Sequence, residues 1–350
     1  MEDPTKKPVN PVNKIKIIIF GLVIFIFAVL PPFLISFFVA KTFSELGIND
    51  PLGVISDFIT APESKVNSQD GEIGILILGK SGAGYSAPDL TDTVIFGSLD
   101  LNQQKLNLIS LPRDIWVPAI RAKLNTAYYW GDQKGAGEGL KLAKSLTSDI
   151  VGQPVDYALV LDFSGFKEMI DAMGGIDINV ERSFTDKKFP IPGKENDLCN
   201  GDKEFKCRYE TVSFQKGLTH MDGTLALKFA RSRNSEGEEG TDLARAARQE
   251  KVILALKEKT LSPQILLSPF KVLSLYKAVM KNLETDLPVS TQAVLARKIL
   301  EARKSIQSNV LPESFLTNPP ISSRYDYQYV FIPKGGSWKE VNNWVKDLLK

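Results

Sequence analysis

Four arginines, an aspartate and a glutamine fall within nineteen positions of this 350-residue chain: Arg231, Arg233, Asp242, Arg245, Arg248 and Gln249. The last four sit in a segment with helical periodicity. At 100° per residue, Asp242, Arg245 and Gln249 share an arc of about 60°, and Arg248 lies about 60° further round. Val252, Ile253 and Leu256 fall on the same arc two turns later, so the polar groups begin the stripe that turns inward. Guanidinium groups aimed inward need an anion, because an unpaired buried charge is expensive. Planar forks at this density suit phosphate oxygens, which makes an oxyanion or diphosphate site one reading. A network of salt bridges within the protein is the other.

Three further segments bring charge to strand ends. Thr91-Asp92-Thr93 opens one predicted strand, with Asp89 just before it; Leu111-Pro112-Arg113-Asp114 closes another; Lys123-Leu124-Asn125-Thr126-Ala127-Tyr128 follows. Proline ends strand pairing and turns Arg113 and Asp114 out of the sheet. In α/β sheets ligands collect at strand ends, so these charges can share a crevice. Carboxylates beside phosphate-reading arginines are what Mg²⁺ (or Mn²⁺) requires: hard oxygen ligands plus substrate oxygens. The plainer readings are a turn or cap for Asp92 and a surface ion pair for Arg113 with Asp114. Gly74-Ile75-Leu76-Ile77-Leu78-Gly79-Lys80-Ser81 fits the phosphate-loop pattern, but its apolar middle reads as strand interior. Gly82 to Ala87 reads as a glycine-rich strand exit, not a dinucleotide fingerprint, because Pro88 and no helix follow.

These groups need a scaffold, and the hydrophobic pattern supplies one. Strands are expected at 73–78, 93–99, 105–111, 157–163, 176–180 and 327–332, and helices at 136–151, 164–173, 222–230, 241–259, 262–280, 290–308 and 337–349. Ser164 is the expected cap of its helix. The alternation predicts an α/β domain, a three-layer α/β/α arrangement around a central, mostly buried sheet. Residues 184–214 are polar and Pro/Gly-punctuated and read as a surface insertion; they hold both cysteines, Cys199 and Cys207. In an exported domain such a pair suits a local disulfide, and with His220 as the single histidine, zinc chemistry is not expected.

Residues 17–40 are apolar and uncharged, long enough to span a bilayer as one transmembrane helix. Lys6, Lys7, Lys14 and Lys16 precede them and acidic residues follow, so residues 1–16 are expected in the cytoplasm and the rest outside. Residues 41–71 read as a stalk. A net charge of +2 argues against a nucleic-acid partner.

Taken in order, LGKSGAG…LTDT, SLPRD, KLNTAY, VDYALVLDFSGFKEMIDAMGGIDINV, GLTHMDGTLALKFARSR and DLARAARQE resemble the LytR-CpsA-Psr family of bacterial envelope proteins. The resemblance covers residues 72–260, leaves 261–350 as C-terminal helices with a final strand and helix, and fits an N-terminal anchor. It implies a phosphotransferase at the outer surface of the cytoplasmic membrane. Such an enzyme takes a glycopolymer from a polyprenyl-diphosphate carrier and joins it to peptidoglycan through a phosphodiester. Carried over by position, Arg113, Arg231, Arg233, Arg245, Arg248 and Gln249 hold the diphosphate and Asp92 a Mg²⁺ ion. Asp114 and Asp242 support the metal or orient arginines. Many members carry an aspartate and an arginine where this chain has Ser81 and Leu90; Asp89 is the candidate substitute ligand. Two other functions stay open: a non-catalytic envelope regulator that binds anionic polymer or lipid diphosphate, and a lipid-diphosphate hydrolase.

Overall fold

The computed structural model describes residues 51–350; the tail and the apolar run at 17–40 lie outside the described residues, as does the side chain of Asp242. Among the described residues no helix is long and apolar enough to cross a membrane. After a helix at Pro51–Thr60, β1 (Glu72–Lys80) begins the sheet. Its apolar residues alternate between two faces, Leu76 and Leu78 on one, Ile73 and Ile75 on the other. β2 (Thr91–Asp100) and β3 (Lys105–Leu111) follow as an antiparallel meander. The helices α1 (Ala127–Asp132) and α2 (Glu138–Val151) lead to β4 (Tyr157–Asp162), which runs parallel to β1.

The chain then leaves the sheet. It forms α3 (Phe163–Ala172), β5 (Ile176–Val180), β6 (Phe184–Pro190), β7 (Tyr209–Phe214) and β8 (Gly217–Met221). Next come α4 (Gly223–Arg231), α5 (Asp242–Thr260), α6 (Pro263–Leu266) and α7 (Pro269–Lys281). It returns through β9 (Leu283–Thr285), α8 (Val289–Glu301) and β10 (Ile306–Val310), and ends in α9 (Lys339–Leu349).

The sheet order is β9-β4-β1-β2-β3-β10, mixed rather than all parallel. Tyr128 of α1, Ile150 of α2 and Val341 and Val345 of α9 pack on one face, and Val294 and Leu295 of α8 on the other. Helices therefore cover both faces, as the patterning requires. A separate core, built from Ile170, Ile178, Phe184, Phe214, Phe229 and Val252, holds the excursion from α3 to α5 together.

Several expected elements differ. The helix placed at 290–308 stops at Glu301, and Ile306–Val310 becomes the parallel edge strand on β3, because β3 has an unpaired edge to satisfy. The helix placed at 262–280 breaks between α6 and α7: Pro269 lacks an N–H, and the Ser268 hydroxyl caps α7 by accepting from Lys271 N at 3.4 Å. Of the strand placed at 327–332, Phe331 makes an isolated parallel bridge to Ile115, and Ile332 starts the two-residue strand Ile332–Pro333, which pairs with Leu316–Thr317. Asp162, not Ser164, caps α3, accepting from Gly165 N at 2.8 Å. The segment 184–214 is only half a surface insertion. Its ends form the β6/β7 ladder, and Phe184, Phe189, Val212 and Phe214 are buried.

The exposed middle of that segment is closed by the Cys199–Cys207 disulfide, with a sequence separation of 8. By loop-closure entropy such a ring stabilises by roughly 2–3 kcal/mol. Cys199→Ser is therefore expected to lower the melting temperature by several degrees in calorimetry, with no further loss on adding reductant.

Candidate functional site

The charged segments meet at one end of the sheet, where β1, β3 and β4 finish and β2 begins. Gly79 pairs with Thr93 and Lys80 with Thr91, so Asp92 is the extra residue of a β-bulge. A bulge re-aims one side chain out of the alternating pattern, and here it turns Asp92 toward Arg113. Arg113 Nη1 donates to Asp92 Oδ1 at 2.5 Å, and Arg113 Nε to Asp114 Oδ2 at 3.4 Å. Lys123 Nζ holds the other Asp114 oxygen at 2.7 Å. The frame behind these residues is backbone: Asn125 N donates to Arg113 O at 3.1 Å, and the buried Thr91 hydroxyl to Asn125 O at 3.1 Å. Burial pushes the Arg113 pKa down, but the charges of Asp92 and Asp114 outweigh it and leave a net rise.

Arg231, at the end of α4, lives in different surroundings. Its guanidinium lies over three rings, Phe163 at 4.6 Å, Tyr85 at 5.0 Å and Phe189 at 5.7 Å. Tyr85 meets Phe163 edge-on at 5.2 Å. Among the described residues no carboxylate pairs with Arg231. Burial lowers its pKa; Tyr85 and Asp92 oppose the fall and Arg233 adds to it. Arg113 is thus compensated by its carboxylates, whereas Arg231 is a half-buried cation lacking its full share of negative charge. Such a group gains by binding an anion. Burial also raises the Tyr85 pKa, so its hydroxyl stays protonated at neutral pH. Tyr85 reaches the cage on a loop that turns at Gly82 (φ +78°), where a Cβ would sit 2.9 Å from Asp162.

The Arg231-Ser232-Arg233 segment is pinned from behind. Ser232, which ends α4 in an extended conformation (φ −56°, ψ 131°), is buried, with half-buried Arg231 before it and exposed Arg233 after it. Asp186, fully buried on β6, accepts from Arg233 N at 3.1 Å and Asn234 N at 3.2 Å. Arg248 supplies the other clamp. It donates to Phe229 O at 3.1 Å, Glu239 O at 3.0 Å, Glu239 Oε2 at 2.8 Å and also to Ser232 O. It is 3 % exposed. The fork expected to face an anion is here filled by carbonyls and one carboxylate, the partners of a structural brace. The helical phase explains why. The described buried residues of α5 are Arg248, Val252 and Ala255, which centre the inward stripe about 90–115° from Gln249 and Asp242.

Arg245 and Gln249 lie half-buried at the edge of that stripe, Arg233 is exposed beside Arg231, and Asp242 is the first residue of α5. Asp89 is tied to Lys80 at 3.2 Å, and Lys80 Nζ also lies 5.0 Å from the centre of the Tyr128 ring. Among the described residues, one group of three metal-ligand side chains converges, Asp197 with Cys199 and Cys207, and the disulfide closes it. At the strand ends the donors fit Mg²⁺ only in a minimal form, one carboxylate from Asp92 plus phosphate oxygens of a ligand. The aromatic cage and Asp186 were not legible in the sequence. Asp186 sits in a segment that reads as surface, and Phe163 and Phe189 look like ordinary core.

The P-loop-like match is settled by the same geometry: Gly74 to Lys80 are strand residues of β1, paired with β2 throughout and with β4 from Ile75 onward. Fold and site together define a mixed-sheet α/β domain with a cluster of cationic side chains at its strand ends. The chain belongs to the LytR_cpsA_psr family, whose model matches residues 56–347. It is 28 % identical over 253 residues to a Bacillus cereus protein named polyisoprenyl-teichoic acid–peptidoglycan teichoic acid transferase TagU, covering 71 % of this chain and 70 % of that one. Among solved structures it resembles Lin1025 of Listeria innocua, with a TM-score of 0.53 and 25 % identity, covering 80 % of this chain and 98 % of that chain. Bacillus subtilis TagV shares the fold, with a TM-score of 0.55 and 23 % identity over 81 % of this chain and 98 % of that chain.

Proposed function

We propose that this protein is a membrane-anchored phosphotransferase that moves a glycopolymer from a polyprenyl-diphosphate carrier onto peptidoglycan, outside the cytoplasmic membrane. The observation that carries the reading is Arg231, half-buried on three aromatic rings with its charge under-compensated, next to Arg233 and within electrostatic reach of Asp92. The name of the Bacillus cereus relative supports a teichoic-acid-like polymer and a peptidoglycan acceptor. The apolar run at 17–40 and its basic flank support the anchor, with the N-terminus inside. The net charge of +2 argues against a general nucleic-acid binder.

Phosphoryl transfer needs charge neutralisation and alignment more than a protein nucleophile. Arg231 and Arg233 hold the diphosphate, with Arg245 and Gln249 at its edge and Arg113 on the Asp92 side. A peptidoglycan hydroxyl attacks the phosphorus that carries the glycopolymer. The bridging P–O bond breaks, and polyprenyl monophosphate leaves. The guanidinium groups stabilise the charge that builds on the attacked phosphorus and the leaving group. Asp114 has both oxygens engaged, by Arg113 and Lys123, and acts by orienting Arg113. Asp242, the first residue of α5, would by the family resemblance support the metal or orient arginines. Asp92 would hold Mg²⁺ or Mn²⁺, which neutralises phosphate charge when bound. Asp89, paired with Lys80, is a weaker donor for it.

The test is full-length protein in nanodiscs with a lipid-diphosphate-linked glycan, peptidoglycan fragments and Mg²⁺. Glycan transfer with release of lipid monophosphate is expected. Tight binding without turnover would mark an anion-binding regulator instead, and release without an acceptor a hydrolase. Chelation is expected to abolish transfer, and Asp92→Asn to raise the Mg²⁺ concentration needed to restore it; an unchanged requirement removes Asp92 from the metal site.

A further inference from the structure

The α6–α7 corner presents apolar side chains with nothing over them. Leu267 is 82 % exposed, Phe270 74 %, Val272 43 % and Leu266 40 %. These four lie within seven consecutive positions, so they form a patch rather than scattered surface residues. α7 continues the pattern: Leu273, Leu275, Tyr276, Val279 and Met280 are only half-buried. Its polar residues Lys271, Ser274, Lys277 and Lys281 are exposed together with Phe270 and Val272, the mixed apolar and basic surface of a helix that lies at a membrane interface. The surrounding charge is one-sided. Residues 259–277, which run into and out of the corner, contain Lys259, Lys271 and Lys277 and no acidic residue. An apolar tip in a lysine collar matches an anionic bilayer surface, where apolar side chains enter the headgroup region and lysines meet lipid phosphates.

The tip is also coupled to the cationic cluster. The end of α7 is fastened to α3, with Lys281 Nζ donating to Glu168 Oε1 at 2.9 Å and Asn282 Nδ2 to Glu168 Oε2 at 3.1 Å. α3 begins at Phe163, the ring beneath Arg231. Phe270 stands at the opposite end of α7, about 18 Å from Asn282 at 1.5 Å per residue. We infer that the α6–α7 corner is a second, peripheral membrane contact, which dips Leu266, Leu267, Phe270 and Val272 into an anionic leaflet and sets the Arg231 cage at a fixed height above it. The inference rests on the membrane-anchored reading above, and it adds the orientation of the domain to it.

The test uses the full chain in nanodiscs containing anionic lipid, with a polarity-sensitive fluorophore on Leu267→Cys or Phe270→Cys and the Cys199–Cys207 disulfide left intact. Tyr327→Cys, at a site 73 % exposed, is the comparator, and Phe25→Cys reports the anchor. A blue shift with quenching by brominated lipid is expected at 267 and 270, but not at 327, and the quenching should weaken in zwitterionic discs. Water-like emission at 267 and 270 with quenching at 25 overturns the corner contact and leaves the anchor standing. Quenching at 267 and 270 without quenching at 25 supports the corner and removes the anchor. A blue shift that bromolipid does not quench points to a second copy of the chain and overturns the proposal, as does equal quenching in both lipid compositions.

Discussion

Arg231→Ala is expected to lower the rate of glycopolymer transfer by about 10²–10³-fold, the usual effect of deleting one preorganised donor to a developing charge. The fold should survive. Arg231 makes no ion pair among the described residues, and losing its contacts with Phe163, Tyr85 and Phe189 costs no more than about 2 kcal/mol. Its burial, incompletely offset by negative charge, is itself a strain that alanine relieves. The diagnostic result is a large loss of transfer with a nearly unchanged melting temperature. Arg231→Lys keeps the charge but loses the planar fork and its stacking, so it should restore only part of the rate. Full activity in Arg231→Ala would remove the diphosphate from this cage and with it the mechanism above.

Arg248→Ala should give the opposite signature. Arg248 is buried and donates to the carbonyls of Phe229, Ser232 and Glu239 as well as the Glu239 carboxylate. Removing it leaves these acceptors without partners inside the protein. Breaking a buried pair in this way costs about 3–5 kcal/mol. For a unit of this size that corresponds to a drop of roughly 10 °C in melting temperature. Activity should fall as well, because Ser232 fixes the direction in which Arg231 and Arg233 leave the chain, but the loss should be recovered in part at low temperature. Arg248→Lys cannot span the four acceptors and should destabilise nearly as much. If Arg248→Ala melts like the parent protein while losing transfer, Arg248 touches the ligand after all, and its role as a brace is wrong.

The contrast between the two arginines shows how far sequence reasoning carries. Both were visible as cations near a helical stripe, and the spacing of Arg245, Arg248 and Gln249 correctly put them on a helix, α5. Periodicity gives the relative angle of side chains but not the absolute rotation of the helix against its neighbours. That rotation is set by Phe184, Phe229 and Ala255 in the excursion core, and it carries Arg248 inward while Arg245 and Gln249 stay at the rim. The aromatic cage was hidden for a related reason. Tyr85, Phe163 and Phe189 come from a loop, a helix start and a strand far apart in the chain, and nothing local marks an aromatic residue as a cation's partner instead of core.

What the sequence determined alone was local and one-dimensional. The continuous apolar run of β1, the proline that ends β3 before Arg113, and the order of motifs that carries the family are all fixed by neighbours within a few residues. The tertiary structure decided which backbone edges needed partners and which charges met. β9 and β10 became the two edges of the sheet although 261–350 read mostly as helix, because β4 and β3 offered unpaired N–H and C=O groups that only a strand can satisfy. The bulge opposite Gly79 and Lys80 turned Asp92 toward Arg113, and no pattern in the T-D-T segment encodes it. Hydrogen bonding across strands and the rotation of one helix on its core are properties of the packed chain, and they made a scattered set of charges into one cluster.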